Sequence, residues 1–208
     1  MLKILGRATS SNVQKVVWLC SELEIPYERK DIGGPFGGND RPEYLSLNPN
    51  GVVPTIDDNG FTLWESNSIV RYLAEKFAKG TDYWPDNIQN RANANRWMDW
   101  ALSTLAPRHV PVFQGLIRTP PEKRDMGRIA ASRDLWAQAN RVLDGWLANH
   151  KFVSGEKFGI GDIPVSPFTY RWFNLPIERE ELPNLKRWHD QICERPAFQR
   201  DIIDIGLQ

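Results

Sequence analysis

The chain has 208 residues, enough for one large domain or two small ones, and its 26 Lys+Arg balance its 26 Asp+Glu. A formal net charge of zero leaves no electrostatic footprint for nucleic acid or an anionic membrane surface, and no apolar run approaches the ~18 residues that a membrane-spanning helix needs. The N-terminus carries no signal-peptide pattern, and Cys20 and Cys193 stand far apart with neither metal nor CxxC spacing, so a reducing, cytoplasmic setting without a bound metal is expected.

Leu2-Lys3-Ile4-Leu5-Gly6 reads as a short strand. Behind it, Val13, Val16, Val17, Cys20 and Leu23 recur at helical spacing. Ser10, Ser11 and Asn12 stand just before that helix, where side-chain oxygens cap free backbone N–H groups. Tyr27 to Ile32 suits a second strand, GGPFGGND a glycine loop, and RPEYLSL a short helix or turn. The turn-rich Asn48-Pro49-Asn50-Gly51 leads through Val52, Val53 and Pro54 into a hairpin. Its arms, Thr55-Ile56 and Phe61 to Trp64, flank the turn signal Asp58-Asn59-Gly60. The second arm stops at Glu65-Ser66, and Ile69, Tyr72, Leu73 and Phe77 then mark a helix, for which Ser66 alone would be an ordinary cap.

The segment AKGTDYWPDN breaks the periodicity and reads as a linker; everything after it is helical. Ala94, Trp97, Met98, Ala101 and Leu105 define a long helix that Pro107 and Pro111 should kink or interrupt. A second begins after TPPEKRD, a third runs through Tyr170 and Phe173, a fourth carries Leu185, Trp188, His189 and Ile192, and ERPAFQRDIID suggests a short last one. The nine tryptophans fall mostly in these patterns and are expected in the core.

The order βαβ, connector, ββα over residues 1–78, with Val53-Pro54 followed by Glu65-Ser66, resembles the glutathione-binding half of cytosolic glutathione transferases. The helical remainder resembles their second domain. The resemblance implies an α/β thioredoxin-like domain at 1–78, a linker at 79–87 and an all-helical domain at 88–208, assembled as a homodimer. It also implies that Pro54 is cis and that the Val53 backbone pairs with an extended tripeptide. Glu65 and Ser66, at a helix N-terminus, would hold the γ-glutamyl end, because free N–H groups and the helix dipole suit a carboxylate while Glu65 accepts from an ammonium. One family signature is altered. The string Gly159-Ile160-Gly161-Asp162 keeps the aspartate of a helix-opening capping box but has glycine in place of its hydroxyl residue, so that helix should be less firmly nucleated.

Aligning Lys15 and Ile25-Pro26-Tyr27 with the serine-type classes, theta- and nu-like bacterial enzymes, puts Ser10 at the catalytic position. Asn12 then shares or orients the bond to sulfur, and Ser11 is a near neighbour that a one-residue slip would promote. The chemistry fits, since the thiolate is the nucleophile and a hydroxyl or amide donor stabilises it without a general base. Members often carry a basic residue where Val52 sits, for the glycyl carboxylate; here Asn50 or the glycine loop would have to substitute. Arg7, Trp100, Arg108, His109, Phe113, Tyr170 and Phe173 are candidates for the second-substrate pocket. The expected activity is conjugation of glutathione to a small electrophile. The rivals are a disulfide-bond reductase or peroxidase on the same site, and a non-catalytic relative serving as an interaction module.

Overall fold

The structure, a computed structural model, describes residues 1–207. It divides into two compact units, one of Met1–Trp84 with Pro196–Gly206 and one built on Pro85–Arg195.

The first unit holds a four-stranded sheet of β1 (Leu2–Leu5), β2 (Tyr27–Lys30), β3 (Thr55–Asp58) and β4 (Phe61–Trp64), in the order β2-β1-β3-β4. β1 pairs parallel with β2 and antiparallel with β3, and β3 pairs antiparallel with β4. In that register Ile4 faces Ile56, and both are wholly buried. The parallel pair needs a crossover, supplied by α1 (Ser11–Glu22); α2 (Pro42–Leu45) and α3 (Ser66–Ala78) complete the thioredoxin-like arrangement expected from the sequence.

α1 is buried from Val13 to Cys20, far more than a one-sided amphipathic helix. α3 packs on one side of it. Another side is covered by the C-terminal segment, α9 (Pro196–Phe198) and the π-helical turn Gln199–Ile203. The Phe198 ring meets Trp18 edge-on at 4.8 Å. The sequence pattern groups this segment with the helical domain; in the structure it packs with the first unit.

The second unit contains α4 (Ile88–Trp100), α5 (Ala106–Phe113), α6 (Met126–Leu147), α7 (Ser166–Asn174) and α8 (Pro183–Cys193). Pro107 and Pro111 do not interrupt the first long helix. The chain stays helical from 88 to 118, and π-helical turns at Ala101–Leu105 and Gln114–Arg118 flank the proline-bearing stretch. A proline removes an i→i−4 donor, and widened turns accommodate such a loss without breaking the helix. Asn87 caps α4 and Asp125 caps α6 through their side chains. Asp144 of α6 caps α8 from a distance, accepting from the Asn184 and Leu185 N–H groups at 2.8 and 2.9 Å.

Around the altered capping signature, the hydrogen bonds come largely from a preceding loop. Asp162 is fully buried and accepts from the N–H groups of Val153 (2.8 Å), Ser154 (3.2 Å) and Gly159 (3.1 Å) and from the Trp188 indole (2.8 Å). The Ser154 hydroxyl, from the preceding loop, accepts from the Gly161 N–H at 3.0 Å and so takes over the work of the missing residue-159 hydroxyl. Regular helix begins only at Ser166, one turn beyond the signature. No helix is long and apolar enough to cross a membrane among the described residues.

Candidate active site

Three segments of the first unit converge: the turn between β1 and α1, the loop before β3, and the junction of β4 with α3. Gly6 permits the approach. At φ 156°, a Cβ here would lie 2.5 Å from a Val13 methyl and 3.2 Å from the Val53 Cβ, so the end of β1 touches both the start of α1 and the proline loop.

The Val53-Pro54 bond is cis. Ahead of it, the loop is held by two buried residues that the sequence reading did not single out. The Tyr44 hydroxyl donates to the Val52 carbonyl at 2.6 Å, and the Asn48 amide donates to the same carbonyl at 2.8 Å; both also reach the Thr55 hydroxyl, at 2.8 and 3.1 Å. The one available signal was the turn-forming pair Asn48-Pro49. Among the described residues no hydrogen bond engages the Val53 N–H or C=O, which leaves that half-buried backbone free to pair with an extended ligand.

Neither hydroxyl at the two helix starts works as a cap. Ser10 is the N-cap of α1, yet its side chain makes no capping hydrogen bond. The N-cap of α3 is Glu65 rather than Ser66, again without a side-chain cap. Glu65 is exposed and sits at φ 70°, ψ 108°, a conformation that costs a non-glycine residue about 1–3 kcal/mol. Ser66, 5% exposed, turns its hydroxyl to the Asn12 Oδ1 at 3.4 Å. The same oxygen accepts from the Lys15 ammonium at 2.9 Å. An ammonium only donates, so the oxygen of the Asn12 amide must face Lys15 and its NH2 must face away. Two helix N-termini therefore meet with their dipoles and N–H groups uncovered by side chains, a setting that stabilises negative charge.

Asn50 bonds to the Asn48 Oδ1 at 3.1 Å, through both its backbone N–H and its side chain, and belongs to the turn. The glycine loop is tied to this turn by the Asn39 amide, 2.7 Å from the Gly51 carbonyl. Arg7 lies across the glycine loop. A Cβ on Gly34 (φ 59°) would come within 2.9 Å of the Arg7 side chain, and one on Gly33 would be 3.4 Å from both an Arg7 guanidinium nitrogen and a Val53 methyl. Positive charge thus stands beside Val53, although Val52 supplies none.

The other pocket candidates belong to the helical unit. His109 and Phe113 are core residues, 1% and 3% exposed. The His109 ring packs against Phe113, Trp136 and Phe168, its Nε2 is 3.3 Å from Arg171, and the Arg171 guanidinium lies 3.9 Å over the Phe113 ring. Trp100 is half-buried and edge-on to Trp97 at 5.2 Å, while Arg108 donates to the Leu135 carbonyl at 3.1 Å. Tyr170 and Phe173 are half-buried around His189, at 6.4 and 4.7 Å between ring centres.

Both protein thiols are held protonated. Burial, and then the charge of Asp201, push Cys20 up to about 12; burial, and then Asp190, push Cys193 up to about 11. Cys193 Sγ stands 3.4 Å from the His189 Nε2, but burial lowers that imidazole to about 4, so the pair is neutral. Among the described residues no cluster of three or more His, Cys, Asp or Glu could hold a metal ion.

Residues 9–76 match the family model for the glutathione S-transferase N-terminal domain, and residues 110–196 match that for the C-terminal domain. The chain is similar to glutathione S-transferase GstB of Escherichia coli (strain K12), at 43% identity over 205 residues, covering 98% of each. It is also similar, at 28% identity over 210 residues, to the disulfide-bond oxidoreductase YfcG of the same strain, covering 96% of this chain and 94% of the relative. Among solved structures, it resembles the theta class glutathione S-transferase of Xanthomonas axonopodis pv. citri with glutathione bound. The TM-score is 0.94, with 46% identity and 97% of each chain covered.

Proposed function

The chain belongs to the glutathione S-transferase family, and we propose that it binds reduced glutathione, holds its sulfur as the thiolate and transfers it to a small electrophile. The tripeptide backbone pairs with the free N–H and C=O of Val53. The γ-glutamyl carboxylate is met by the α3 N-terminus and the Ser66 hydroxyl, and its ammonium by Glu65. The cysteinyl sulfur then falls at the turn of Ser10 and Asn12, where the Ser10 hydroxyl and the Asn12 amide donate to it beside the positive end of the α1 dipole. The observation that carries this reading is the uncapped pair of helix starts, joined by the Ser66–Asn12 hydrogen bond next to Val53.

In the transfer, a sulfur lone pair forms the new bond to carbon and the leaving group departs with the old bonding pair. The thiol proton has already passed to solvent. No protein thiol takes part. The similarity to a named disulfide-bond oxidoreductase favours a second reaction at the same site. There the bound thiolate attacks the glutathione sulfur of a mixed disulfide, one S–S bond forms as another breaks, and the substrate leaves as its thiolate. Assaying aryl halides, epoxides, peroxides and glutathionylated disulfides side by side separates the two. The protein is further proposed to act as a homodimer, with the exposed Phe61 and Trp64 of the edge strand β4 and Phe77 of α3 among the apolar residues that the interface covers.

The test is a thiolate absorbance titration with saturating glutathione, in a Cys20→Ala/Cys193→Ser background where the substrate carries the only thiol. That background should keep its turnover. Ser10→Ala and Asn12→Ala should each raise the bound thiol's pKa by about one unit, the worth of a hydrogen bond to charged sulfur. Ser11→Ala should not move it. If Ser11→Ala gives the largest shift, the donor is misassigned by one residue. If the bound thiol titrates like free glutathione in every variant, including the parent, the turn is only a helix start and the non-catalytic reading stands.

A further inference from the structure

Lys15 is wholly buried in α1, among the largest side chains with no exposure at all. Placing an ammonium there carries a heavy desolvation cost unless something compensates, whereas a methionine or leucine would fill the same space without that cost. Lys15 is also three residues after Asn12, so the two share one face of the helix. Its Nζ meets the Asn12 Oδ1 at 2.9 Å, on the same oxygen that the Ser66 hydroxyl approaches.

We infer that Lys15 is a positioning residue for thiolate formation: it pins the Asn12 carbonyl oxygen inward and thereby presents the amide NH2 to the substrate sulfur. An asparagine amide is two-fold ambiguous, and rotation of its terminal torsion exchanges oxygen for NH2 at little cost. With the oxygen outward, a lone pair would face the thiolate and oppose its charge. A donor-only partner beneath the amide removes that alternative. Ser66 adds to the effect without replacing it, because a hydroxyl both donates and accepts and has a second task at the γ-glutamyl carboxylate. Without ligand, the Ser66 hydroxyl and the Lys15 ammonium share the Asn12 oxygen; once the single Ser66 hydrogen turns to the γ-glutamyl carboxylate, Lys15 alone keeps that oxygen inward.

This inference rests on the proposed role of Asn12, and the experiment separates the two. Bound-thiol pKa, kcat and KM are measured for Lys15→Met, Asn12→Ala and the double variant, all with glutathione. Lys15→Met should raise the thiol pKa by about one unit. It should lower kcat about tenfold at neutral pH with recovery in alkali, and leave the KM for glutathione within about threefold. The double variant should match Asn12→Ala, since Lys15 acts through that amide. A normal thiol pKa in a folded Lys15→Met, alongside a shift in Asn12→Ala, overturns the inference and leaves the role of Asn12 intact. A silent Asn12→Ala overturns both. A Lys15→Met shift that adds in full to that of Asn12→Ala means the ammonium acts as a bare charge, and the positioning role is lost. Should Lys15→Met fail to fold, Asn12→Asp keeps an acceptor for the ammonium and Asn12→Ala does not. Asn12→Asp should then unfold at the higher urea concentration while sharing the raised thiol pKa; the reverse order of stability refutes the contact.

Discussion

Replacing Asp162 by alanine should come close to unfolding the helical unit. Its carboxylate accepts from four N–H donors, three of them in fully buried hydrogen bonds and the fourth, at Ser154, partly open to water. Each buried donor left without a partner costs about 1–3 kcal/mol, so three give a central expectation of about 6 kcal/mol, with solvent rescuing the Ser154 amide. That is a large share of the roughly 5–15 kcal/mol by which a domain is stable. With a urea m-value of about 2 kcal/mol/M, the midpoint should fall by about 3 M. Asp162→Asn is the informative companion. Burial raises the carboxyl's pKa, and the hydrogen bonds it accepts pull the other way. If the acid is ionised in the folded protein, an asparagine NH2 must face two N–H groups, and the variant should lose about 2 kcal/mol or more. If the acid is neutral, asparagine should be nearly silent. Urea titration followed by tryptophan fluorescence reads both, Trp188 being in direct contact with the carboxylate. A midpoint within about 0.5 M of the parent for Asp162→Ala would refute the view that this one side chain closes the turn before α7.

At the candidate site, Glu65→Ala and Ser66→Ala should each weaken glutathione binding by about 10- to 100-fold, the loss of one charge-assisted hydrogen bond, with little change in unfolding midpoint. Wild-type affinity by calorimetry in both variants would remove the γ-glutamyl assignment. Phe61→Glu with Trp64→Glu should convert the proposed dimer to monomer in sedimentation velocity; a mass unchanged from the parent's would move the interface elsewhere.

Much of the first unit was legible in the sequence because its signals are local. Asp58-Asn59-Gly60 marks the hairpin turn, and the spacing of Ile69, Tyr72 and Leu73 marks α3. Contacts between distant segments were not legible. Ser66 and Asn12 are 54 residues apart, and nothing local to either shows that one hydroxyl points at the other. The burial of Lys15 has no local signal for a related reason. The apolar stripe of Val13, Val16, Val17 and Cys20 describes a helix with one covered face, whereas α1 is covered on several, and a charged residue off the stripe then reads as solvent-exposed. Pro107 and Pro111 misled in the opposite direction. The rule that proline ends a helix is a statement about one hydrogen-bond register, and this chain shifts register on both sides of them. The missing hydroxyl at Gly159 was visible, but Ser154, which does its work, lies outside any short motif.

The return of Pro196–Gly206 to α1 also has a consequence for biosynthesis. Trp18 meets Phe198, a residue the ribosome adds about a hundred positions after the first unit's sheet and α3 are already made. At the usual 5–20 residues per second, that interval is roughly 10 s. During it the thioredoxin-like half exists with one flank of its central helix bare, and it closes only when Pro196–Gly206 leave the exit tunnel. A nascent chain stalled anywhere in the helical half therefore presents an unfinished apolar flank, the kind of surface that chaperones bind and proteases find. Completion of the glutathione-binding half is thereby coupled to synthesis of the helical half.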